Sequence, residues 1–215
     1  MNGRYGAIRE LWEVDPGERI GYSGDVLDDW QRRFGDVPGA LREYYTTLGA
    51  HIALNHTQDQ LVAPADTPGT VYRMDGDDAT DVLVFYVENQ LALQWGVLAG
   101  DCAEDDPTVH VLVGEDWEGT GDSVSGFLTA QAHLQRLYAY EDWSEEFLAI
   151  DDQGLARLRE FLPARGVVAD LYGGVEFFGG PGVLLAYFRD SSSVVFGCAD
   201  SHLVDSLFAY FARSG

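Results

Sequence analysis

The sequence predicts an α+β fold: a central, mostly antiparallel sheet flanked by helices, with a C-terminal helix–strand–helix extension. Amphipathic stripes at helical spacing stand before and after runs of short strands. The strand runs are apolar, β-branched and aromatic, and turn-like segments separate them. Helices gathered at the ends of strand runs belong to α+β architectures rather than to alternating βαβ units.

The elements follow in order. Residues 25–34 read as a helix with Val26, Leu27, Trp30 and Phe34 on one face. Pro38 suits the first turn of the next helix. There Leu41, Tyr44, Tyr45 and Leu48 fall at i, i+3, i+4 and i+7, and Gly49 can cap the end. Residues 55–69 are polar and contain prolines, so they read as mostly loop. Residues 75–81 form an acidic turn. The apolar run 82–87 is a central strand, with 91–97 as its partner and Glu88, Asn89 and Gln90 at the turn. Residues 108–113 are a further strand. Val124, Phe127, Leu128, Gln131, Leu134, Leu137 and Tyr138 then keep helical spacing, behind Asp122 or Ser123 as N-cap.

Residues 1–140 thus make a core, and 141–215 a second α+β part expected to pack on the same domain. In that part Leu155, Leu158 and Leu162 mark a helix stopped by Pro163. Strands follow at 167–172, 175–178, 183–188 and 194–198. Leu203, Leu207, Phe208 and Phe211 line a last helix. Residues 82–97 align without gaps on 183–198, each behind a Leu-Arg-Glu helix at Leu41 and Leu158. Either a helix–hairpin–helix unit was duplicated, or apolar hairpins simply look alike.

Composition narrows the function. Of 215 residues, 46% are hydrophobic, enough to bury a core. Asp plus Glu is 36 against 13 cations, a net charge of −23. Such a surplus repels phosphate, so no nucleic-acid or anionic membrane partner is expected. It suits a basic partner, or serves solubility alone. All 13 cations are Arg. Without Lys there is no Walker-A lysine, kinase-type lysine or Schiff base. No apolar run reaches the ~18 residues of a membrane span, and residues 1–10 lack a signal-peptide core. Cys102 and Cys198 are too few for a disulfide framework, so a cytoplasmic setting is expected.

The residues suggest no catalytic group, metal or cofactor. Asp75, Asp77 and Asp78 open like a calcium loop, but the twelfth position is Tyr86 where a bidentate acid is required. His51, His56, His110, His133 and His202 show no zinc-site spacing. No Gly-x-Ser-x-Gly elbow occurs. Glu88 alone among the acids is flanked by long apolar strands, the setting that raises a carboxyl pKa for acid/base work.

Binding is the stronger reading. Glu115, Asp116, Glu118 and Asp122 surround Trp117. Asp101, Glu104, Asp105 and Asp106 form a second patch at the other end of the 108–113 strand. An exposed aromatic among carboxylates suits a basic protein partner: the ring anchors and the charges steer. The alternative is that Trp117 packs inward while its neighbours face water. Trp143 sits in a similar setting, between Asp142 and Glu145.

One ordered set of residues resembles a known family. It runs Val37, Pro38, Leu41, Tyr44, Tyr45, Leu48, Gly49, then Leu54, Asn55, Gln58, Asp59, Leu61. It continues with Val84, Phe85, Tyr86, Glu88, Asn89, Gln90, then Trp95, Gly96, Val97. This pattern is similar to the SUKH superfamily of Smi/Knr-like immunity and adaptor proteins. There a Leu-Pro-like helix start leads to an aromatic pair, a glycine turn and an aromatic hairpin with Glu-Asn-Gln and Trp-Gly. Val37 replaces the family's Leu, and the resemblance covers about residues 25–140. It implies an α+β fold and a non-enzymatic role. It assigns Glu88, Asn89, Gln90 and Trp95 to the family hairpin, where Asn and Gln are expected to close the turn and Trp to fill the core. The expected function is immunity: binding a cognate toxin domain, often a nuclease, and covering its basic active-site surface. Two other readings stay open: an intracellular adaptor for endogenous proteins, and an acid/base hydrolase working near Glu88.

Overall fold

A computed structural model describes residues 3–15, 17–64, 82–144, 146–180 and 182–212. The acidic turn at 75–81 and the loop residues 65–69 lie outside them, as do the calcium-loop-like Asp75, Asp77 and Asp78. Two compact units emerge, Met1–Leu128 and Thr129–Gly215. The fold is α+β, with the strands divided between two antiparallel sheets.

In the first unit α1 (Gly6–Leu11), α2 (Gly24–Phe34), α3 (Gly39–Thr47) and α4 (Ile52–His56) precede the sheet. Leu27 and Trp30, three apart on α2, are buried, and Trp30 meets Tyr45 edge-on at 5.0 Å. Val26, read onto the same face, is on the exposed side instead. The α3 stripe is buried as its spacing requires: Leu41, Tyr44, Tyr45 and Leu48. Burial raises both phenols well above the ordinary tyrosine range. Residue 55 reads as loop from its polarity, yet Asn55 is buried in α4. Its amide donates to the carbonyls of Leu48 (2.8 Å), His51 (3.1 Å) and Gly49 (3.2 Å), and its oxygen accepts from Tyr44 Oη at 2.9 Å. A polar residue is kept here because its amide and carbonyl tie Tyr44 of α3 to the backbone of the turn between α3 and α4, so that its own buried polar atoms are satisfied.

The first sheet is a meander in the order β1-β2-β3-β4-β5, from β1 (Gln60–Leu61) through β2 (Val82–Val87), β3 (Gln94–Leu98) and β4 (Thr108–Val113) to β5 (Asp116–Ser123). A bulge between Val84 and Tyr86 interrupts the β2–β3 register. Gly96 is required by close approach: a Cβ there would lie 2.4 Å from Val82 Cγ1 and 2.8 Å from the Leu83 carbonyl. Helix α5 (Val124–Tyr138) lays Phe127 against Tyr86 and Trp95, both at 5.5 Å, and Phe85 at 5.6 Å. This aromatic cluster is the centre of the unit's core.

The second unit holds β6 (Asp142–Trp143), β7 (Leu148–Ala149), α6 (Asp152–Phe161), β8 (Ala164–Ala169), β9 (Val175–Gly180), β10 (Val183–Phe188), β11 (Ser193–Cys198) and α7 (Ser201–Ala212). Asp151 caps α6 by accepting from Gly154 N at 2.6 Å. The order is β6-β11-β10-β9-β8, and β7 also pairs with β11. Phe178, Leu185, Val194 and Phe196 of the sheet pack with Leu158 of α6 and Leu207 of α7. Strand β8 begins at Ala164, three residues before the apolar run that marks it in the sequence. Its first residues are exposed, so no hydrophobic pattern announces them.

The two hairpins that align in sequence occupy different places. β2–β3 is followed in its sheet by β4 and β5, whereas β10–β11 comes last in its sheet, after β6, β7, β8 and β9. The short edge pieces accordingly sit beside the first hairpin strand in one unit and the second in the other. The matched glycines differ as well: a Cβ at Gly197 would meet the Leu137 carbonyl at 2.2 Å, not a neighbouring strand's side chain. This strand order speaks against duplication of the unit as aligned.

Candidate functional site

The hairpin β4–β5 carries the first acidic patch, Glu115, Asp116, Glu118 and Asp122. Val113 pairs with Asp116, which leaves Gly114 and Glu115 as a two-residue turn. Gly114 has φ +65°, matching the glycine that a type II′ hairpin turn places first. Pairing then continues as Leu112 with Trp117, Val111 with Glu118 and His110 with Gly119. Because side chains alternate, His110, Leu112 and Trp117 share one face of this hairpin. Glu115, Asp116 and Glu118 are exposed, and none of them forms an ion pair among the described residues.

Trp117 is half-buried, between the two positions its sequence context allowed. Its Nε1 is out of solvent and has no hydrogen-bond partner among the described residues, and the same holds for Nδ1 of His110. In the sequence His110 bears only on zinc-site spacing. Its place beside Trp117 follows from the hairpin register, which the sequence signals only through Gly114. Asp122 is half-buried, and its N–H donates to Thr120 Oγ1 at 3.2 Å.

The second patch is not one surface. Asp105 is exposed, its carboxylate pairs with Arg4, and its carbonyl accepts from Ala40 N at 2.7 Å. Asp106 accepts from Ser125 N at 2.8 Å, Ser125 Oγ at 2.6 Å and Ser123 Oγ at 3.1 Å. It therefore supports the start of α5, where Ser123 Oγ in turn accepts from Gly126 N at 3.3 Å. Asp101 closes a 3-10 turn over Ala99–Asp101, and its carbonyl accepts from Glu104 N at 2.9 Å. Only Glu104 and Asp105 of the four are exposed. Replacing Asp106 by alanine is expected to cost about 1–2 kcal/mol, because helix-start N–H and hydroxyl donors lose their acceptor. Urea unfolding with an unchanged slope would measure it, and an unshifted midpoint would contradict it.

Glu88, not Asn89 or Gln90, closes the family-like hairpin. Its Oε2 accepts from Gln90 N at 2.9 Å and Ala92 N at 3.1 Å. Asn89 and Gln90 are exposed. Leu91 adopts φ +61° inside this loop, so the partner strand starts at Gln94 rather than at 91. Trp95 is buried between β3 and α5, where a core role places it. A cleft of about 550 Å³ opens beside α1, lined by Tyr5, Arg9, Glu10, Glu13, Glu43 and Thr47 among others, and Glu88 is not among its walls. Arg9 is occupied there: its guanidinium donates to the carbonyls of Asp15, Glu18 and Thr47 at 2.6, 3.0 and 3.3 Å.

Both cysteine thiols are buried and are pushed up to about 11 by that burial. Neighbouring carboxylates, Asp101 and Asp36 for Cys102 and Asp142 and Asp200 for Cys198, act in the same direction. Among the described residues no group of three or more His, Cys, Asp and Glu is arranged to hold a metal ion, and no helix is long and apolar enough to cross a membrane. No family model, no curated protein and no solved structure matches the chain.

Proposed function

We propose that the protein is an immunity-type binding protein. In this reading it neutralises a basic toxin domain, a nuclease in the first instance, by covering the surface that would grip nucleic acid. It acts without catalysis or cofactor, in the cytoplasm. The observation that carries the reading is the β4–β5 hairpin: Glu115, Asp116 and Glu118 stand exposed around a half-buried Trp117, with no ion pair among the described residues. Charges of one sign at a rim speed association with an oppositely charged partner, and an aromatic beside them supplies contact area. The SUKH-like residues 37–97 support the same class, and a net charge of −23 on the chain adds long-range attraction.

The test is co-expression with a toxin domain encoded beside the gene, in a bacterium that the toxin kills. Growth should be restored by the chain. The double variant Glu115→Lys, Asp116→Lys should bind about tenfold more weakly or worse, with a shallower salt dependence. Undiminished killing in the presence of folded chain would refute immunity. Unchanged affinity of the double variant would remove the hairpin from the interface.

A further inference from the structure

Among the described residues, strand β5 ends the first sheet: the one neighbour it has in the sheet order is β4. The hairpin register fixes where its backbone points. In a two-residue hairpin the residues flanking the turn exchange both of their N–H···O=C bonds, and bonded and non-bonded pairs then alternate. Val113 with Asp116 is the bonded pair here, so Leu112 with Trp117 is non-bonded, Val111 with Glu118 bonded, and His110 with Gly119 non-bonded. The N–H and C=O groups of Trp117 and Gly119 therefore face away from β4. Asp116, Glu118 and Gly119 are all exposed along this edge.

We infer that this edge receives an extended, basic segment of the partner as an added strand. The inference rests on the hairpin being the docking surface and specifies how docking occurs. Two outward-facing residues spaced by two are the backbone template that strand addition uses. Charge selects the occupant. Residues 112–123 hold Glu115, Asp116, Glu118 and Asp122 and no cation. A second copy of the chain brings the same carboxylates and is repelled, whereas a strand bearing Arg or Lys is attracted. The side-chain face also offers a notch. Gly119 leaves a gap between Trp117 and the end of the strand, and a Cβ there would find nothing nearer than His110 Nε2 at 3.7 Å. A side chain of the incoming strand can enter that gap and lie against the indole ring.

The probe is a synthetic peptide as long as β5, eight residues, alternating arginine and valine. A second peptide keeps its arginines but carries prolines at the valine positions, so that its charge is equal and strand pairing is blocked. The full chain should bind the first peptide about tenfold or more tightly than the second. Hydrogen exchange at the Trp117 and Gly119 amides should slow about tenfold with the first peptide only. On the protein side Gly119→Pro removes an outward N–H and should abolish the difference between the peptides, whereas Gly119→Ala should retain it. If Gly119→Pro fails to fold, the exchange measurement on the unaltered chain decides. Equal binding of both peptides, or unprotected Trp117 and Gly119 amides, overturns strand addition while leaving charge-based docking intact. Binding of neither peptide overturns the edge as a site. Failure of the toxin co-expression experiment instead bears on the immunity reading itself.

Discussion

Phe127→Ala should destabilise the protein by about 3–5 kcal/mol, the range for deleting a fully buried phenylalanine. The ring is completely buried and touches Phe85, Tyr86 and Trp95 within 5.6 Å, so it joins α5 to two strands of the first sheet. Truncation opens a cavity among large, rigid neighbours that collapse poorly into it. Urea unfolding followed by tryptophan fluorescence would register the change, since Trp95 lies against the deleted ring. Ile52→Ala is the matched control. Ile52 is 77% exposed, and its loss should stay within about 0.5 kcal/mol. A Phe127→Ala loss as small as the control's would mean that the cluster does not hold the unit together.

A steep loss of stability in mild acid is the second large effect, and it is assigned to His133. The imidazole is 2% exposed, its Nδ1 lies 2.8 Å from the Thr129 carbonyl, and its ring packs on Phe177 at 5.1 Å. Burial lowers its pKa to about 4; the Arg165 charge adds to that, and the Thr129 hydrogen bond opposes it. The folded protein thus holds the neutral ring, while the unfolded chain protonates near the ordinary value of about 6.5. The contribution is fully present above that value and is lost as pH falls from about 6.5 through 4. The loss is on the order of 3 kcal/mol. His133→Gln, which cannot titrate, should lose that much less stability than the parent between pH 7 and 4 in urea titrations. Parallel curves for the two proteins would show that protonation of His133 is not what weakens the fold.

The parts of the fold legible in the sequence were those with an apolar rhythm. The run Val82–Val87, the stripe of α3 and the long α5 each bury one face or two, and burial leaves a period in the sequence. Strand β5 shows none. Asp116–Ser123 has no fully buried residue on either face and contains two glycines, and it is a strand because Gly114 turns the chain back onto β4. An edge strand without a core face has no hydrophobic signature to read. The acidic site shows the same limit. Asp105 and Asp106 directly follow one another after Glu104 in sequence and are equally charged, but Arg4 and Ser123 with Ser125 engage them from positions 17 to 101 residues away. Linear clustering of charge cannot reveal such partners. Glu88 stands out in the sequence for its apolar flanks, and those flanks are two strands that its own carboxylate helps to turn.

Strand β11 has a consequence for the order in which the chain can assemble. Each strand of the first sheet pairs with the one made just before it, so that sheet can grow as the polypeptide lengthens. In the second, β6 and β7 both pair along one edge of β11, the last strand among the described residues, and Ser144 and Phe196 are locked by two hydrogen bonds, N to O at 2.8 Å and N to Oγ at 3.0 Å. Residues 142–143 and 148–149 therefore wait for residues 193–198 before their pairing is complete. Contacts at such sequence separation form slowly, and unpaired strands are sticky while they wait. During synthesis the second unit is thus the stage that needs protection, and it closes only when β11 arrives.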